Sequence, residues 1–406
     1  IYGLIATWVS AGTIPGLMYY GLEILSPTTF LPAAAVVAAV VAFAIGSSWT
    51  TVGTLGVAFV GIGAGLGVPA PMTVGAVLSG AYAGDKQSPL SDTTNLAAGV
   101  TNTDLYAHIR RMRTGTAVAF GLAVLGFLAL GLRASGDIPT GRIAEIQGAL
   151  GETYAITLLA FVPLAVTFGL ALRGYAALPT LVAGVFAGVL TTLLVQGSGF
   201  VPAWETFMYG TAPESGSDLV NELLATGGLT GSAWTITVVV AALSLGGILE
   251  RTGVLAVIAH AFTSAVGSAG VLVAGTGVSA IVINALTAQQ YMSIVLPSVT
   301  LRNTYDEFGL DSDQLSRAVE AAGTPTGALF PWHAGAVYMT GVTGVPTLEY
   351  APYFLFAFLS PLALFAMAAT GYTIESSPTA RAVEAAAEDA PRSAGTGAAG
   401  TATDDD

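Results

Sequence analysis

Between Gly84 and Asn95 the chain reads GDKQSPLSDTTN. Asp85 and Asp92 supply two carboxylates there, Lys86 the single lysine of the chain, Ser88, Ser91, Thr93 and Thr94 four hydroxyls, and Asn95 an amide. Pro89 breaks any helix running through it. A hard cation such as sodium takes oxygen ligands, and carboxylates, hydroxyls and carbonyls freed at a helix break are the three kinds a protein offers. One carboxylate can hold a proton or a sodium ion but not both, and that mutual exclusion is the chemical basis of exchange. The plainer alternative is a structural Asp85–Lys86 pair, or a loop facing water. Ionisable groups at membrane depth are costly to keep, which favours a functional reading.

The surroundings place this stretch in a bilayer. The chain has 406 residues, 53% hydrophobic and only 9% charged, against roughly a quarter charged in a soluble domain. Apolar windows of about 18 residues or more recur, the length that crosses the hydrocarbon core as a helix. The 51 glycines suit close helix packing in lipid. Cysteine is absent, which excludes disulfides and thiolate metal sites. HExxH, GxSxG and GxxxxGK[ST] patterns are absent too, so neither an enzyme nor an ATP-driven pump is expected. Much of the net charge of −13 falls between Glu375 and Asp406, and residues 373–406 are expected to form a disordered acidic tail. The chain starts at Ile1 inside an apolar stretch, which reads as a fragment without its native start.

Further breaks interrupt the apolar segments. SAGTIPG, Ser10 to Gly16, splits the first. GSSWTTVGT, Gly46 to Thr54, splits the pair Phe30–Ile45 and Leu55–Val68, and Ser47, Ser48, Thr50, Thr51 and Thr54 there either line a cavity or bond back to their own helix. Arg110, Arg111 and Arg113 open the next span and mark a cytoplasmic end, with His108 beside them expected at the surface. Thr114–Leu132, Thr153–Leu172 and Ala176–Val195 read as plain spans. Ser198–Ser232 is acidic and external, with an amphipathic helix near Leu219–Leu224. After the span Ala233–Leu249 come Leu255–Val266, with His260 on a helix face, and Gly270–Ile283. The run NALTAQQ, carrying Asn284, Gln289 and Gln290, then breaks the chain before Tyr291–Val299. A polar loop is expected at Thr300–Gln314, then GTPTGALFPWHAG, with Thr324 and His333, as a last break, and a final span at Tyr350–Tyr372. Glu320 points into the cavity or reaches Arg317 three residues earlier, and His333 is a proton relay or a structural histidine.

Breaks near Gly12, Ser47 and Gly84 in one half are answered near Gly246, Asn284 and Gly323 in the other. The fold class expected is therefore an all-α polytopic membrane protein built from two repeats, of the inverted kind, with discontinuous helices and re-entrant hairpins. Residues 1–132 form the first repeat, 133–232 a connection and outside loop, and 233–372 the second repeat.

Three blocks, WVSAGTIPGLMYYG at Trp8–Gly21, GAYAGDKQSPLSDTTNLAAGVTNTDLYAHI at Gly80–Ile109, and Gln290–Tyr353 from QYMSIVLP to PTLEYAPY, resemble the NhaC family of sodium/proton antiporters in the ion transporter superfamily. The resemblance implies a multi-pass cell-membrane protein, with a role in pH homeostasis, that exchanges sodium or lithium for protons by alternating access. Sodium would bind at Asp85 and Asp92, with Ser88, Thr93, Thr94 and Asn95 in the site. Lys86 would support it by the same resemblance, and the residues read at the other breaks, Ser48, Thr50, Thr51, Asn284, Gln290, Glu320, Thr324 and His333, are expected to support it as well. No cofactor is implied beyond the transported ions, and no nucleic acid; the partners are those ions, protons and lipid, with a homodimer left open. Related members exchange malate and lactate, for which Lys86 or Arg302 could hold the carboxylate; a channel or sensor without coupled exchange is the third reading. After Glu320 the family usually has a second acidic residue and a GTVTSPLIPWN-like run, where this chain has Ala321, Pro325, Gly327 and His333.

Overall fold

The computed structural model describes residues 1–134, 140–254, 257 and 267–372. The expected acidic tail, His260 and most of Leu255–Val266 lie outside the described residues. The described residues are helical without a strand. Among the described residues five helices are long and apolar enough to cross a membrane, or up to seven if each of two bent pairs counts as one span.

In the first half, α1 (Tyr2–Ser10) and α2 (Thr13–Ile24) flank a break at Gly12, whose φ of 80° a glycine adopts without strain. Next come α3 (Pro27–Ile45), α4 (Ser48–Thr51), α5 (Val57–Gly65), α6 (Ala70–Asp85), α7 (Asp92–Thr101) and α8 (Leu105–Ala134). A π-helical turn at Val52–Gly56 joins α4 to α5, so residues 48–65 form one irregular helical unit. Such π-turns concentrate at functional sites. Gly80 and Gly84 bring α6 directly onto the Ala35 and Ala39 carbonyls of α3, where no Cβ would fit. Close backbone approach through small residues is how helices bind one another in lipid.

The connection holds α9 (Thr140–Thr153), α10 (Val162–Leu172), α11 (Ala177–Leu194), α12 (Phe200–Tyr209) and α13 (Asp218–Leu224). The second half holds α14 (Ala233–Arg251), α15 (Ala269–Thr287), α16 (Gln290–Glu307), α17 (Ser312–Thr326), α18 (Ala334–Thr343), α19 (Thr347–Tyr350) and α20 (Leu355–Thr370). As α3 lies along α6, α15 lies along α17.

Four expectations change. Thr153–Leu172 is not a plain continuous helix, because the chain bends by 90° between α9 and the segment Leu158–Leu172. No break occurs at Gly246, which sits inside the continuous α14. Asn284 belongs to α15, and the break falls at Ala288, with a φ of 54°, and Gln289. The loop expected at Thr300–Gln314 shrinks to residues 308–311, since polar side chains on the outer turns of α16 and α17 gave those turns a loop-like composition.

Candidate functional site

The polar stretch folds as its residue types dictate. α6 ends at Asp85, the chain turns through residues 86–91, and Ser91 caps α7 by accepting from the Thr94 N–H at 3.3 Å. Gly46 ends α3 at a φ of 74°, and the absent Cβ leaves room for the Leu90 backbone, so the breaks after α3 and after α6 touch. Asp85 is consequently aimed at the start of α4, where its Oδ2 accepts from the Ser48 N–H at 2.9 Å. A carboxylate there meets the positive end of the helical unit. Its Oδ1 and the Ser48 hydroxyl are buried with no hydrogen-bond partner among the described residues.

These groups form part of the wall of a cavity of about 380 Å3. Asp85, Asp92, Ser48, Thr50, Trp49, Gln290 and Tyr291 line it, with Val239 and Leu243 of α14 as an apolar wall. Among the described lining residues two are carboxylates and none carries a basic side chain. Ser48, Asp92, Gln290 and Ala334 are also the first residues of α4, α7, α16 and α18, so four helix N-termini converge on one space. No side chain caps α16. Two acidic side chains and the one helix start without a side-chain cap, that of α16, therefore face the same volume, and such a site can hold cationic and anionic groups of one molecule together.

Asp92 is exposed, not buried. Its Oδ1 accepts from the Thr93 N–H and its Oδ2 from the Tyr291 hydroxyl at 2.5 Å. Thr93 reaches across to the other half and donates to Glu320 Oε1 at 3.0 Å. Ser88 accepts from the Leu90 N–H, the Thr94 hydroxyl donates to the Lys86 carbonyl at 3.5 Å, and Asn95 donates to the Pro89 and Ser91 carbonyls. These three side chains shape the break. Thr51 and Thr54 bond back to carbonyls of their own helix, whereas Ser48 and Thr50 line the cavity.

In the second half, the Gly335 N–H donates to His333 Nδ1, which assigns the ring proton to Nε2, and Nε2 then donates to Asn284 Oδ1 at 3.2 Å. Asn284 in turn donates to the Gly323 carbonyl and, at 3.2 Å, to the Thr326 hydroxyl. His333 and Asn284 thus tie the break at residues 327–333 to α15 and α17. Glu320 and Thr324 are fully buried on α17. Lys86 points away from the cavity, donating to the Ala321 carbonyl at 3.2 Å and to Ser360 at 3.0 Å. Arg302 donates to the Val100 carbonyl. Neither Lys86 nor Arg302 lines the cavity.

His108 is not at the surface. It is buried, with Nδ1 on Ser316 at 2.9 Å, and its neighbour Arg111 pairs with Asp313 at 2.9 Å. Together with Thr103 donating to Ser312 at 2.8 Å, these contacts clasp the first half to the start of α17. Tyr291 and Ser360 were missed as functional positions. Tyr291 directly follows NALTAQQ and could have been read with that break. Ser360 is one hydroxyl in an apolar span, and nothing in its neighbourhood marks it.

A sequence model of the Na+/H+ antiporter family matches residues 80–372. The chain is 52% identical over 375 residues to the arginine/ornithine antiporter ArcD of Halobacterium salinarum, covering 92% of this chain and 77% of that protein. It is 38% identical over 359 residues to the Na+/H+ antiporter NhaC of Alkalihalophilus pseudofirmus, covering 88% and 78%. To the malate-2H+/Na+-lactate antiporter of Bacillus subtilis it is 35% identical over 358 residues, covering 88% and 76%.

Proposed function

The chain belongs to the Na+/H+ antiporter family, as an integral membrane protein, and from that membership we propose a carrier, not an enzyme, whose exchanged solute is a cationic amino acid bound in the cavity floored by Asp85. One observation carries this reading: the described cavity lining offers two carboxylates and no basic side chain, while the start of α16, which no side chain caps, faces the same space. The carboxylates suit a guanidinium or ammonium head, Trp49 and Tyr291 offer faces for it, and the uncapped start of α16 suits an α-carboxylate. The relative named for arginine and ornithine supports the same solute class. A dicarboxylate such as malate suits this lining less well, since Lys86 and Arg302 are engaged elsewhere.

Sodium or lithium exchange for protons is the second reading. Asp85 Oδ1 and Ser48 Oγ favour it, two buried oxygens without partners at the cavity floor, as do the relatives named as Na+/H+ antiporters. In either case residues 1–132 and 233–372 act as the two opposed repeats of an alternating-access cycle.

Counterflow in proteoliposomes tests the choice. Internal ornithine should drive uptake of labelled arginine, and Asp85→Asn should weaken it severely. Sodium-driven proton movement without amino-acid uptake would establish the second reading instead.

A further inference from the structure

Glu320 and Lys86 are both fully buried, and neither lines the cavity. The Lys86 ammonium sits between the Ala321 carbonyl, the Ser360 oxygen and the Phe356 ring, whose centre is 5.2 Å away. Ser360 gives its own hydrogen to the Ala321 carbonyl at 2.7 Å, which leaves its oxygen free to accept. The lysine is thereby held one residue from Glu320, yet among the described residues no ion pair closes between them. Glu320 has Thr93 on Oε1, while Oε2 and the Thr324 hydroxyl one turn later have no hydrogen-bond partner among the described residues.

We propose that Glu320 is a proton-binding site separate from the solute cavity, and that Lys86 transmits its protonation to Asp85. The inference rests on the cavity binding a cation. With Glu320 ionised, Lys86 is balanced and the Asp85 charge is available to the solute. With Glu320 protonated, the lysine charge is uncompensated beside Asp85, its chain neighbour, and opposes a cation there. One proton bound thus accompanies one unit of positive charge released. Other charged and titratable groups on α17 and on the helices packed against it include His108 and Arg111 on α8, Tyr305 on α16, and Asp313 and Arg317 on α17 itself.

Binding of labelled arginine and of labelled sodium to the purified full chain, followed from alkaline to mildly acid pH, tests this. Wild-type affinity for the bound probe should fall as pH falls. Glu320→Gln, which stands in for the protonated acid, should bind about tenfold more weakly with a flat pH profile. Adding Lys86→Met to that variant should restore affinity to within about threefold of wild type. His108→Gln should keep the wild-type profile. Should Glu320→Gln fail to fold, Glu320→Asp decides, since it should remain pH-dependent. A wild-type profile in Glu320→Gln, a flat one in Glu320→Asp, or flattening by His108→Gln overturns the inference and leaves the cavity reading standing. Wild type binding neither probe overturns the cavity reading, and the inference with it.

Discussion

The Tyr291 hydroxyl donates to Asp92 Oδ2 at 2.5 Å and joins the first residue of α7 to the first turn of α16 across the cavity. Both side chains line the cavity, so a solute that takes Asp92 must displace the phenol. A hydrogen bond to a charged group contributes about 1.5–3 kcal/mol. Tyr291→Phe should therefore speed counterflow by roughly tenfold, as read from initial rates at saturating solute. An unchanged rate would remove the bond from the transport cycle.

Asp85 and Asp92 should separate sharply on neutralisation. An asparagine at position 85 still offers an oxygen to the Ser48 N–H, so the local fold survives while the buried charge facing the solute is lost. Leaving a buried charge uncompensated costs about 3–5 kcal/mol, so Asp85→Asn should raise the KM for uptake by ~100-fold or more. Asp92 is exposed, where an ion pair contributes about 0.2–1 kcal/mol, and Asp92→Asn should raise KM only several-fold. Equal losses in the two variants would contradict this ordering.

The glycines of α6 give a stability test with its own control. A methyl at Gly84 would meet the Ala39 carbonyl, a backbone atom that cannot turn aside. Gly84→Ala should lower the thermal midpoint of the detergent-purified protein, with a penalty of about 1–3 kcal/mol for overpacking. A methyl at Gly99 on α7 would meet nothing within 4 Å, and Gly99→Ala should be neutral or gain about 0.5–1 kcal/mol. Equal midpoints for the two variants would refute the close contact of α3 and α6.

Arg111 and Asp313 bridge α8 to the first turn of α17 at 2.9 Å, each 16% exposed. A double-mutant cycle of Arg111→Gln and Asp313→Asn, read by thermal unfolding, should return a coupling on the order of 1 kcal/mol. A coupling near zero would mean that Thr103–Ser312 and His108–Ser316 hold this clasp by themselves.

Much of the site could be read from the sequence because its chemistry is local. Pro89 and the hydroxyls after it define a break and a cap, and α6 and α7 end and begin as GDKQSPLSDTTN requires. The breaks at Gly12 and Gly46 were legible for the same reason, since each is a glycine with positive φ. Relations between the halves were not legible. Thr93 meets Glu320 across 227 positions, and His108 is buried by Ser316 across 208; no local pattern records either contact. Gly246 misled because composition shows where a helix can break, whereas packing decides whether it does.

The glycine contact of α6 with α3 divides the labour within the first half. Asp85 is the last residue of α6, and Ser48 begins the unit that follows α3. Seated backbone to backbone, α3 and α6 carry the carboxylate and the amide it accepts from as a single anvil. Across the midline the same break is held by side-chain bonds, Thr93 to Glu320, Asp92 to Tyr291, and Lys86 to Ala321 and Ser360. In the alternating-access cycle proposed above, those bonds are the ones that must open, while the floor under the cargo stays whole.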